Sequence, residues 1–241
     1  MPSAPDAAAG SDLSFVAVRT TRGPHVTPQL AAEAGGRLWF ATTNDSLKAR
    51  VLRRRPAVSV WQPGSVVVGT AAVLDVLRPG SLLRAPFDTM RSGLGMAAYA
   101  FENMDDMVNG VFDALTLRLG DNALERRVLV AVTVESSFDV PLGGDAAVGL
   151  LVGDAGVVAL PGWWDPASST AFVEPLAGGL LDGPAAVAVD ASQGAGPAQK
   201  QGVLHRGTGR RVAGGLALDI ERSTWWNGAS VGTVHWWPTT E

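Results

Sequence analysis

Arg37-Leu-Trp-Phe-Ala41 runs straight into Thr42, Thr43, Asn44 and Ser46, and Lys48, Arg50, Arg53, Arg54 and Arg55 follow at once. Short hydroxyl and amide side chains beside the amides of a starting helix, with an ammonium nearby, make an anion site suited to phosphate. The same basic run also reads as a solvated helix face. Upstream, His25-Val-Thr-Pro28 offers an imidazole and a hydroxyl, and His25 reads either as a satisfied turn histidine or as an acid. Six of the eight tryptophans lie in the second half. Of these, the pair Trp163 and Trp164 fits either an interface anchor or a stacking platform for a flat ring.

Other chemistries are poorly supplied. The chain has no cysteine and only three scattered histidines, which removes thiolate and His-rich metal sites, so no metal is expected. No G-x-S-x-G elbow occurs, and Gly207-Thr-Gly209 lacks the strand and helix frame of a nucleotide loop. A net charge of -4 argues against a nucleic-acid partner and favours a small ligand. No apolar run of about 18 residues exists and Met1 to Asp12 lacks a signal-peptide pattern, so the expectation is a cytoplasmic protein without a membrane partner.

The site needs strands to hold it. Phe15 to Arg19 and His25 to Leu30 read as two antiparallel strands, Arg37 to Thr42 as a third with Leu38 and Phe40 on one face and Trp39 on the other. Asp45 or Ser46 caps a helix that Lys48 to Arg54 continue until Pro56 stops it. Ala57 to Trp61, Ser65 to Val76 and Val128 to Glu135 are further strands. Between them, Met and Phe residues at helical intervals predict a helical insertion at about 79–120. Residues 1–12 form a tail, 13–142 a first unit, and 143–241 a second, with Gly143-Gly144-Asp145 between the units.

The second unit reads as a worn copy of the first. Leu180 to Val189 aligns with Val51 to Val60, ending on AVAV against AVSV. Gly202 to Thr208 stands against Ser65 to Thr70, and Val158-Ala-Leu-Pro161 against His25-Val-Thr-Pro28. On that alignment Ser46, Lys48, Arg53 and Arg54 face Pro175, Ala177, Asp182 and Gly183, so the copy has no anion site.

The order PHVTP, GGRLWFATT, SLKARVLRRRPAVSVW resembles the split β-barrel flavin-binding superfamily of pyridoxamine-phosphate oxidase and the flavin/deazaflavin oxidoreductases. The resemblance covers Phe15 to Val76, with a weaker duplicate over about Val157 to Val234. It implies a mainly β fold with a helical insertion, built as two tandem split β-barrel units that form an intramolecular pseudo-dimer. It also implies FMN or coenzyme F420 as cofactor, less readily haem, and hydride transfer to or from a small-molecule substrate. Carried over residue by residue, Val26, Thr27 and Pro28 pass the ring. Thr42, Thr43 and Ser46 contact the ribityl phosphate, and Lys48 and Arg53 neutralise it. Trp163 and Trp164, shortly after the strand equivalent to the one that passes the ring, are candidates to stack on cofactor or substrate, a departure from the family's usual pattern. No catalytic side chain is required, and further homo-oligomerisation is compatible with the pattern. The alternative is a non-catalytic flavin or haem binder of the same fold.

Overall fold

The computed structural model describes residues 14–29, 31–74, 127–141, 144–153, 156–173, 182–191, 201–227 and 230–235. The expected helical insertion, and the tryptophans Trp236 and Trp237, lie outside them. The first unit contains β1 (Ser14–Thr20), β2 (Gly23–Gln29), β3 (Ala31–Ala34), β4 (Arg37–Thr43), α1 (Leu47–Leu52), β5 (Ala57–Gln62), β6 (Ser65–Leu74) and β7 (Arg127–Asp139). The second contains β8 (Ala146–Val152), β9 (Gly156–Asp165), β10 (Thr170–Val173), β11 (Gly183–Asp190), β12 (Gln201–Val212), β13 (Gly215–Asn227) and β14 (Ser230–His235). One strand, β3, has no counterpart in the sequence expectations, because AAEA carries neither β-branched residues nor alternation.

Two seven-stranded antiparallel sheets result, ordered β2-β1-β5-β6-β7-β4-β3 and β10-β9-β8-β11-β12-β13-β14. Consecutive strands β2 and β3 sit at opposite edges of the first sheet, so that sheet must curl. In the second, β10 also pairs β13 and closes the ring. These are two split-barrel units, and their strand orders correspond: β2-β1-β5-β6-β7-β4 matches β9-β8-β11-β12-β13-β10.

A shared irregularity fixes the register between them. The β6–β7 ladder shifts between Val68 and Gly69, leaving Glu135 as the extra residue, and the β12–β13 ladder shifts between Arg206 and Gly207, leaving Glu221. A Cβ on Gly69 would run into the carbonyl of Thr133, and one on Gly207 into that of Asp219, so both bulges require glycine. In each, the following threonine bonds the bulged glutamate: Thr70 Oγ1 to Glu135, and Thr208 Oγ1 to Glu221 at 3.4 Å. Anchored there, His25 matches Val158 as the sequence alignment has it. The AVSV/AVAV match, in contrast, is two residues out, since Val60 rather than Val58 corresponds to Val187. A two-residue slip keeps every side chain on its own face, so the apolar alternation cannot detect it. The pairing of Arg53 with Asp182 goes with that match.

The units pack through reciprocal strands: β2 lies on β11 and β8, while β9 lies on β5 and β1. Alternation along β1 explains the two cores. Val16 and Val18 point into the first barrel with Leu38, Phe40, Leu52, Val58, Val60, Val130 and Val132. Phe15 and Ala17 point the other way and join Val26, Trp61 and Val66 in the cluster that continues through the second unit. At this seam Val26 is fully buried, and a Cβ on Gly149 would collide with it. Ser59 Oγ accepts from Ala159 N across the boundary at 3.2 Å, and Arg19 donates to Gly153 O at 3.2 Å. No helix among the described residues is long and apolar enough to cross a membrane.

Candidate functional site

Period-two alternation splits β2 into two faces. Val26 faces the seam, whereas His25, Thr27 and Gln29 share the opposite, polar face, a row about 13 Å long at the usual strand rise. Gln29 anchors one end. Its Nε2 donates to Ala41 O at 2.9 Å, and its Oε1 accepts from Lys48 Nζ. Arg206, from the second unit, holds the other end by donating to His25 Nδ1, 181 residues away in the chain. Thr27 Oγ1, between them, is buried with no hydrogen-bond partner among the described residues.

Lys48 reaches the row because α1 begins where it does. Ser46 caps the helix, its Oγ accepting from Ala49 N at 3.1 Å and lying 3.1 Å from Thr42 Oγ1. One residue inside the helix, Lys48 is carried under β4 rather than into solvent: it is 4% exposed, and its Nζ lies 5.4 Å from the Phe40 ring centre. Burial pushes its pKa down to about 7. Arg53 stays exposed at the helix end and bonds back to Asn44, its Nη1 donating to Asn44 O at 3.1 Å.

Positive charge accumulates along the row. His25 is pushed down to about 3, first by burial and then by Arg206, Lys48 and Arg222. Arg206 is pushed down to about 10 by burial, Arg222 and Arg22. Basic groups that lose water and gain positive neighbours behave in this way, because both disfavour the protonated form. An oxyanion placed among them would favour the protonated forms and counter the positive neighbours.

The register between the units shows how one-sided this is. Where β2 presents His25, Thr27 and Gln29, β9 presents Val158, Leu160 and Gly162. Thr42 becomes Val173, while Arg206 and Arg222 correspond to Val68 and Ser136 of the first unit. One boundary between the units therefore carries polar and cationic groups from both, and the related boundary carries valine, leucine, glycine and serine at the matching positions and no cation there.

Of the residues expected from the sequence, Thr27, Thr42, Ser46 and Lys48 lie on β2, β4 and α1 around this row. Val26 lies on the right strand with its side chain in the seam, Pro28 shares its face of β2, and Thr43 is exposed at the end of β4. Trp164 stacks on His205, ring centres 5.0 Å apart, and its backbone N donates to Asp145 Oδ1 at 2.9 Å. His205 and Arg206 are neighbours on β12 and point to opposite faces, so Trp164 sits away from the His25 side. Trp163 pairs with Phe172 in the β9–β10 ladder. Sequence reasoning missed Gln29, Arg206 and Arg222. For Arg206 the available signal was the repeat itself, in which HRGT stands against VVGT.

Neither a family model nor a curated protein matches the chain. Solved structures overlap about half of it. A putative pyridoxamine 5'-phosphate oxidase from Listeria innocua is 13% identical over 54% of this chain and 89% of that one, with TM-score 0.33. A conserved hypothetical protein from Mycobacterium tuberculosis is 20% identical over 54% and 78%, with TM-score 0.36. An F420 reductase is 17% identical over 52% and 88%, with TM-score 0.32. At this level of overlap the residue roles rest on the chain's own geometry.

Proposed function

We propose that the chain binds a phosphate-bearing flavin-type cofactor, FMN or coenzyme F420, in the groove along the polar face of β2, and acts as an oxidoreductase. The observation that carries this reading is the row His25–Thr27–Gln29, bracketed by Lys48 and Arg206 from different units. The Thr27 hydroxyl, buried with no hydrogen-bond partner among the described residues, and the cations Lys48 and Arg206 at the two ends of the row fit a ligand that brings both acceptor atoms and negative charge. The resemblance to the split β-barrel flavoproteins supplies the ligand class.

Within this reading Lys48 takes the phosphate, Thr42 and Ser46 lie beside it, and Thr27 and the β2 backbone orient the ring. When bound, the cofactor supplies the hydride acceptor or donor. The chain supplies binding, orientation and a dry seam formed by Val26, Phe15 and Trp61. The matching strand orders and bulges support a tandem duplication in which the second unit stands where a partner subunit would.

Absorption spectra of the full chain reconstituted with FMN or F420 and then desalted test this. Retained flavin or deazaflavin bands are expected, and Lys48→Ala weakens binding by about 1.5–3 kcal/mol, the scale of a charged hydrogen bond. A chain that retains neither cofactor overturns the reading, and a Soret band after haem addition would replace it with the non-catalytic alternative.

A further inference from the structure

The geometry points to a second oxyanion subsite in the same groove, formed by Arg206 and Arg222 of the second unit with His25 of the first. It is built independently of Lys48 and accepts a phosphate or carboxylate group. Arg206 and Arg222 are direct register partners on β12 and β13. Both are electrostatic neighbours of His25, and Arg22 adds a further positive charge beside Arg206. Arginine has no acceptor, so His25 Nδ1 must accept from Arg206, and the neutral ring carries its proton on Nε2. Arg206 thus fixes His25 as a donor. Arg206 Nε is itself buried with no hydrogen-bond partner among the described residues, as is the hydroxyl of Thr27 next along the row.

A purely structural cluster would not concentrate cations, an uncharged donor and unpartnered buried groups at one boundary groove while the related groove holds Val68, Ser136 and Val158. Planar guanidinium forks suit the two oxygens of a carboxylate or phosphate. Two sources share this chemistry: an oxyanion of the cofactor itself, or that of an acidic substrate. The second case rests on the proposed cofactor reading, whereas the subsite does not.

Inorganic phosphate added to the full chain, followed by side-chain 1H–15N NMR of its three histidines, reads the subsite directly. Expected are an Nε2–H tautomer for His25, a saturable shift of its ring signals, and phosphate affinity reduced at least tenfold in Arg206→Val, the residue found at the matching position. Arg222→Ser provides the same test if Arg206→Val does not fold. Repeating the titration on FMN-loaded protein separates the sources. A His25 shift that persists assigns the subsite to a substrate anion, and one already saturated assigns it to the cofactor. An Nδ1–H tautomer, His25 signals unmoved by phosphate, or undiminished phosphate binding in both variants overturns the proposal. Phosphate binding that depends on Arg206 in a chain that retains no flavin leaves the subsite standing and removes the cofactor reading alone.

Discussion

Replacing Lys48 with methionine removes a buried ammonium while keeping most of its volume, and the consequence is a change in how stability depends on pH. In the folded chain the Lys48 pKa is lowered from 10.5 to about 7 by burial. Between those values the unfolded chain holds the proton and the folded chain does not, so stability rises with pH across that window. From pH 7 to pH 9 the gain is about 2 kcal/mol, because near pH 7 the folded amine is still half protonated and the full slope of about 1.36 kcal/mol per unit develops above it. Urea unfolding of ligand-free wild type and Lys48→Met at a series of pH values isolates this group, since every other titration is common to both. Wild type should gain about 2 kcal/mol relative to the variant between pH 7 and 9. Parallel profiles for the two proteins would refute the burial of Lys48, and with it the geometry of the Gln29 end of the row.

His25 gives the mirror experiment in acid. Its folded pKa is lowered from 6.5 to about 3, so stability is lost as pH falls below 6.5; up to about 2 kcal/mol should disappear between pH 7 and 5, and His25→Gln should remove that loss. Thr27→Val relieves a buried hydroxyl without a partner: the ligand-free protein should gain about 1 kcal/mol in urea unfolding while flavin affinity falls. Gly149→Ala drives a methyl group into Val26 across the seam and should cost about 1–3 kcal/mol. Val26→Ala should recover part of that cost, a coupling that a double-mutant cycle measures directly.

The elements of the first unit were largely legible because their signals are local. The Ser46 cap, the split of Leu38 and Phe40 from Trp39, and the strands from Phe15 to Leu74 other than β3 follow from alternation and punctuation. The local grouping of Thr42, Ser46 and Lys48, where the anion is proposed to bind, was legible for the same reason. The residues that the second unit brings to the row were not. Arg206 meets His25 only because β12 and β2 pack across a boundary, and nothing near residue 206 announces a partner 181 positions earlier. The place of the Val26 side chain was hidden for a related reason: the strand was identifiable, but which face packs into the seam depends on what the second unit presents, and there Gly149 admits the valine. The repeat alignment erred by an even number of residues, the one error that an alternating pattern hides.

The central claim is a single asymmetric groove per chain, polar along β2 and apolar at the related positions of β9. Equilibrium dialysis of the purified full chain against FMN and against coenzyme F420, with bound ligand counted per polypeptide, tests it most directly. One bound cofactor per chain is predicted, with occupancy lost on combining Lys48→Met with Arg206→Val. Two bound cofactors per chain, or none of either kind, would contradict it.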